Sequence, residues 1–169
     1  TDVRPRDLIV TTDYTLLNKQ FDALADGETD RLSLAANFVA LLHSAMDDIN
    51  WLGFYIRRGD ELVLGPFQGQ PACVHIPLGQ GVCGTAAELM ETQRIDDVHA
   101  FDGHIACDPV SKSELVVPLI WEGTVVAVLD IDSPSPARFS ADDQAGVEKL
   151  VSTFVKAIDA HGQSLAEFI

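Results

Sequence analysis

Glu114-Leu115-Val116-Val117-Pro118-Leu119-Ile120-Trp121, then Glu122-Gly123, then Thr124-Val125-Val126-Ala127-Val128-Leu129-Asp130-Ile131: two runs, apolar at nearly every position, flank a two-residue connection. A link that short suits a tight hairpin between antiparallel strands. Continuous rather than alternating hydrophobicity predicts that both faces of these strands are covered. The hairpin is therefore the centre of a layered domain, and Asp132-Ser133-Pro134-Ser135-Pro136 is expected to end its sheet.

Upstream, Asn50 to Arg57 is aromatic and branched, as strands are, and Arg58-Gly59-Asp60 supplies a turn before Glu61-Leu62-Val63-Leu64. Pro66 and Gly69 to Pro71 are expected to break the next segment. His75-Ile76-Pro77-Leu78 then leads into a glycine-rich loop at Gly79 to Gly84, and Thr85 to Thr92 reads as a short helix. Helical spacing of Leu16, Leu17, Phe21 and Leu24 predicts a helix closing at Asp26-Gly27, and a second is expected from Asp30 to about Met46. Near the other end, Ser140 with Asp143 resembles a capping box, ahead of a stripe at Val147, Leu150, Val151, Phe154, Val155 and Ile158. This order predicts an α+β domain with a mainly antiparallel central sheet flanked by N-terminal and C-terminal helices.

The 169 residues suffice for one domain, 1–169, around a single core. A net charge of −15 argues against nucleic acid and against an anionic membrane surface, since phosphate recognition needs clustered Lys and Arg. No apolar run reaches the roughly 18 residues of a membrane span, and Thr1 to Asp7 are polar with no cleavage-type segment after them. A cytoplasmic protein is the expectation. Three cysteines, an odd number, fit reduced thiols with a chemical role better than a structural disulfide framework.

Cys107 is the candidate nucleophile, because it lies on the polar loop Gly103-His104-Ile105-Ala106-Cys107-Asp108, where a thiol is better placed to react than in a core. Asp130 and Asp132, two apart on a strand, point to one face together with Val126 and Val128, and Glu114 begins the neighbouring strand. All three acids can thus face one pocket; the bland alternative is a solvated strand end. Carboxylic acids beside a thiol suit a redox reaction in which sulfur is attacked while an oxygen is protonated, the resulting sulfenic acid being resolved by a second cysteine. Cys73 and Cys83 are both candidates for that part. A metal centre from Cys73-x-His75, Cys83 and His104-x-x-Cys107 fits no common zinc spacing. Gly79-x-Gly81-x-x-Gly84 matches a dinucleotide fingerprint without the surrounding βαβ unit, and reads instead as a tight turn that leaves backbone N–H groups near a pocket. Trp51 and Tyr55 share a strand face and can wall a small-ligand site.

Taken together, Asn50-Trp51-x-Gly53-Phe54-Tyr55, Gly81-Val82-Cys83-Gly84-Thr85-Ala86, Gly103 to Asp108, Ser113-Glu114 and Asp130 to Pro134 resemble the free methionine-(R)-sulfoxide reductases, enzymes built on the GAF fold. The resemblance implies that Cys107 attacks the sulfoxide sulfur, that Cys73 is the main recycling cysteine and that Cys83 is secondary. It implies that Glu114, Asp130 and Asp132 hold the substrate ammonium and sulfoxide oxygen, with Trp51 and Tyr55 around the methyl group. It further implies free methionine-R-sulfoxide as substrate, no bound cofactor or metal, and thioredoxin as external reductant fed by NADPH through thioredoxin reductase. A homodimer through the terminal helices is left open. The competing expectation is a non-catalytic GAF module that binds a small, cyclic-nucleotide-like ligand, which an acidic pocket disfavours.

Overall fold

In the computed structural model, residues 11–160 are described; His161 and the first ten residues lie outside them. Two helices, α1 (Tyr14–Ala25) and α2 (Arg31–Ala45), precede β1 (Trp51–Arg58), β2 (Glu61–Gln68) and β3 (His75–Pro77). Then come α3 (Gly81–Leu89), β4 (Gln93–Ile95), a 3₁₀ turn (Val98–Ala100), β5 (Ser113–Trp121), β6 (Thr124–Ser133) and α4 (Ala141–Asp159). The six strands form one sheet in the order β3-β2-β1-β6-β5-β4, every neighbouring pair antiparallel. The α+β expectation holds.

Local chemistry sets the helix starts. Asp13 accepts from the Leu16 N–H, Asp30 accepts from Leu32 and Ser33, and Ser140 with Asp143 forms a reciprocal capping box. The α4 stripe then delivers Val147, Leu150, Val151, Phe154 and Ile158 to the core. One sheet face packs on α1, α2 and α4 through Phe21, Phe38, Phe54 and Phe154, whose ring centroids lie 4.8 to 5.7 Å apart. Fully burying one such side chain contributes roughly 1.5–3 kcal/mol. The opposite face carries Trp51, Tyr55, Val116 and Val128 against Val82, Cys83 and Ala86 of α3. Both faces of the hairpin are covered, as its continuous hydrophobicity requires.

Three details differ from the sequence expectation. Pro66 does not break its segment: β2 continues to Gln68, because a bulge opposite Phe54 absorbs Gly65 and Pro66, and a bulge tolerates the missing proline N–H. Helix α3 begins at Gly81 rather than Thr85, so Cys83 lies within its first turn. Val126 does not share the face of Asp130. A register shift between Leu119 and Ile120 slips the parity of β6 there, placing Val125 with Val128 and sending Val126 to the helix-covered core. The short strand β4 and the turn at Val98–Ala100 carry no strong period and have no counterpart in the sequence reading.

Candidate active site

Beyond the β6 slip, Val128, Asp130 and Asp132 follow the two-residue period onto the α3 face. In the ladder Glu114 stands directly opposite Asp132, and Val116 opposite Asp130, so the three acids form a cross-strand and diagonal group. They are 6%, 6% and 9% exposed for Glu114, Asp130 and Asp132, which excludes the solvated strand end. Burial pushes all three carboxyls up: Asp130 to about 6, and Glu114 and Asp132 well above the usual range, where the charge of Asp130 adds to the effect. Such a group holds protons at neutral pH and attracts a cation.

Helix α3 brings the next components. Its first turn, Gly81 to Cys83, lines the same cavity, and Gln80 makes no side-chain cap to it. Uncapped N–H groups at a helix start suit a carboxylate. Two glycines permit this approach: Gly81 has φ +63°, and at Gly84 a Cβ would lie 2.5 Å from the Pro77 carbonyl oxygen. The Cys83 sulfur is buried 3.8 Å from Glu114 Oε1, and desolvation followed by the neighbouring acids pushes its thiol up, keeping it neutral.

Cys107 and Cys73 close the site. Their sulfurs are joined in a disulfide across 34 residues, linking the loop after the 3₁₀ turn to the segment between β2 and β3. Cys107 lines the cavity with His104 and Ile105, whereas Cys73 is not among the lining residues. Tyr55 lines the cavity as well, and its hydroxyl donates to the Cys73 carbonyl at 2.9 Å. Trp51 is not among the lining residues: it stacks on Tyr55 and Phe67 and donates from Nε1 to the Gln70 carbonyl at 3.1 Å. The cavity, partly open to solvent, thus gathers Cys107, Cys83, the three acids and Tyr55.

His104 and Ile105 also line it, on the Gly103 to Cys107 loop whose N–H groups are expected to donate to a carboxylate, as do Ile76, Gln80, Asp108 and Ser111, which have no role in the sequence reading of the pocket. His104 and Asp108 stand inside the quoted Cys107 motif, which is the signal that points to them; Ile76 and Ser111 offer none. Burial, with His99 nearby, pulls the His104 imidazole down toward neutrality. The four-ligand metal centre does not assemble, since Cys73 and Cys107 are bonded to each other and His75 pairs with Glu61 at 3.2 Å on the surface. A different trio, Cys83, Glu114 and Asp130, has donor atoms within 4.8 Å of one another. Among the described residues no helix is long and apolar enough to cross a membrane.

The GAF domain family model matches residues 22–158. The free methionine-R-sulfoxide reductase of Escherichia coli is 52% identical over 145 residues, covering 86% of this chain and 88% of that protein. Its namesake in Saccharomyces cerevisiae is 42% identical, with 81% of each chain covered. Among solved structures, Staphylococcus aureus fRMsr in complex with substrate superposes with a TM-score of 0.83 at 47% identity, covering 94% of this chain and 99% of that one. The Neisseria meningitidis free methionine-R-sulfoxide reductase with its substrate gives 0.85 at 40% identity, over 89% and 90%. The chain belongs to the GAF domain family and, within it, to the free methionine-R-sulfoxide reductases.

Proposed function

We propose that the protein reduces free methionine-R-sulfoxide to methionine, the 169-residue chain acting as one catalytic domain. The observation that carries this reading is the Cys73–Cys107 disulfide beside a cavity holding three buried carboxyls. The substrate ammonium is drawn to the acid group, and its carboxylate to the N–H groups at the start of α3. Pairing both charged ends excludes peptide-bound methionine sulfoxide. Tyr55, backed by Trp51, packs against the methyl group.

With the disulfide opened, the Cys107 thiolate attacks the sulfoxide sulfur while a protonated acid of the trio donates to the oxygen. The S–O bond breaks with the oxygen leaving as water; water then attacks the Cys107 sulfur and breaks its bond to the substrate sulfur, so methionine leaves with its sulfur reduced and Cys107 remains as a sulfenic acid. Cys73 then attacks the Cys107 sulfur, the oxygen departs as water, and the disulfide forms. An external dithiol of the thioredoxin class reduces it, drawing electrons from NADPH through thioredoxin reductase. A bond reopened in every cycle requires a reducing compartment, hence the cytoplasm. Cys83, buried and neutral, has a secondary part.

The test is a coupled assay with thioredoxin, thioredoxin reductase and NADPH, run on R and S epimers, free and peptide-bound. NADPH oxidation with the free R epimer alone is expected, and its loss in Cys107→Ser. Undiminished turnover in that variant, or nucleotide binding without any sulfoxide turnover, overturns the reading.

A further inference from the structure

Asn50 lies outside the cavity lining, one residue before β1, where its backbone N–H donates to the Asp132 carbonyl at 3.0 Å. Its side chain reaches across to the cysteine loop. Nδ2 donates to Asp108 Oδ2 at 2.9 Å and to Ser111 Oγ at 3.1 Å, contacts that span 58 and 61 residues of chain. Asp108 immediately follows Cys107, and its other oxygen accepts from the Val110 N–H at 3.0 Å, so both carboxylate oxygens are engaged within this loop anchor. Ser111, 5% exposed, accepts from Asn50 and lines the cavity together with Asp132.

The orientation of the Asn50 amide is determined, since the flipped form would set its carbonyl oxygen against the Asp108 carboxylate, acceptor on acceptor. As a result Oδ1 is buried with no partner among the described residues. An unpaired buried oxygen is destabilising. Retaining it beside two well-made donor contacts is the pattern of a side chain kept for what it holds.

We propose that Asn50 is a positioning residue for the reaction: its amide N–H group fixes the loop that presents Cys107 by holding both Asp108 and Ser111 against the start of β1. Asp108 is the residue directly after Cys107, so one side chain beside the central strand sets the place of the attacking sulfur. This inference rests on the reductase reading, in which Cys107 attacks and the acids protonate.

The experiment compares Asn50→Ala, Asn50→Asp, Ser111→Ala and the double variant Asn50→Ala/Ser111→Ala as full chains, reading single-turnover methionine release, kcat, KM and Tm. In Asn50→Ala the release rate at saturating sulfoxide is expected to fall about tenfold, the scale of one lost charge-assisted hydrogen bond. The double variant is expected to lose no more than the worse single one. Asn50→Asp supplies the readout that a purely structural role would not move. The acids near it are Asp108 of the loop, which accepts from its side chain, and Asp132 of β6, whose carbonyl accepts from its backbone N–H, so its protonated form still donates to Asp108 while its ionised form cannot. Relative to wild type, Asn50→Asp should exceed Asn50→Ala at pH 5.5 and fall to its level by about pH 8, since a buried acid among acids titrates in that range. Asn50→Ala within twofold of wild type, or a pH-independent deficit in Asn50→Asp, overturns the proposal. A wild-type protein without sulfoxide turnover overturns the reductase reading instead.

Discussion

The hydroxyl of Tyr55 donates a 2.9 Å hydrogen bond to the carbonyl oxygen of Cys73, tying the central strand β1 to the segment that carries half of the disulfide. The Trp51 indole makes the companion bond to Gln70 at 3.1 Å. Two aromatic side chains two pleat repeats apart on the same strand face therefore suspend the Cys73 segment beside the cavity. In Tyr55→Phe the ring remains and only this tether goes. Stopped-flow fluorescence and thiol quenching should show disulfide closure slowed by about 2- to 10-fold, the equivalent of one net hydrogen bond, and slowed more than methionine release. Equal slowing of both steps would mean that the hydroxyl serves the substrate rather than the segment.

Cys73 and Cys83 flank the same site in different electrostatic settings, and this separates their roles. Cys73 is bonded to Cys107, while Cys83 is buried as a neutral thiol against Glu114. Cys73→Ala is expected to release one methionine per chain without reductant and then stall as a sulfenic acid, detectable by dimedone labelling. Thioredoxin-supported turnover should fall by an order of magnitude or more. Cys83→Ala should keep most of its turnover. After one equivalent of substrate, non-reducing peptide maps of the wild-type protein should show Cys73 joined to Cys107; a dominant Cys83–Cys107 link would reverse the assignment.

Stability should fall as pH rises from about 4 to beyond 6. The folded carboxyl of Asp130 is raised from its ordinary 3.8 to about 6, and Glu114 and Asp132 are raised too, chiefly by burial. The folded state then holds protons that the unfolded chain has released, so the slope of unfolding free energy with pH is negative in that window. Their contribution is full below the unfolded pKa and is lost through the folded one. Asp143, lowered by its hydrogen bonds, acts in the opposite sense only at more acidic pH. In Asp130→Asn part of the slope should vanish, and Tm at pH 8 should exceed that of wild type by about 2–4 °C per kcal/mol of relieved strain. Differential scanning calorimetry from pH 4 to 8 checks this, and an unchanged slope would mean that Asp130 is ionised in the fold.

Much of this was legible because it rests on periods and caps. The hairpin of β5 and β6, the α4 stripe with its Ser140–Asp143 box, and the shared face of Trp51 and Tyr55 each follow from local spacing. The acids gathered as expected because Asp130 and Asp132 obey the strand period and Glu114 is their ladder neighbour. What was hidden depends on register. Bulges at Gly65–Pro66 and at Val126 are set by cross-strand pairing, which no single segment encodes, and they decided the length of β2 and the side chosen by Val126. Ser111 reaches the cavity from a loop that leaves no periodic trace, Ile76 lies on β3, too short at three residues to show a period, and the Asn50 side chain bridges 58 residues.

Gly84 offers a test of how α3 is set against the sheet. Its missing Cβ lets the helix approach β3 until the Pro77 carbonyl oxygen would lie 2.5 Å from a methyl group there, with the Gly79 nitrogen at 3.2 Å. Those neighbours are backbone atoms, so they cannot turn aside as a flexible side chain would. Gly84→Ala must displace the start of α3, and overpacking of this kind costs about 1–3 kcal/mol. The displacement acts on Gly81 to Cys83, whose N–H groups are proposed to take the substrate carboxylate, and on the Cys83–Glu114 contact. The expected result is a lower Tm with KM for free methionine-R-sulfoxide raised several-fold, while the Cys73–Cys107 disulfide still closes with oxidant alone, because neither half of it lies on α3. Thermal melts, steady-state kinetics and thiol counts after oxidation measure the three quantities separately. A variant with lowered Tm but unchanged KM would remove the start of α3 from substrate binding.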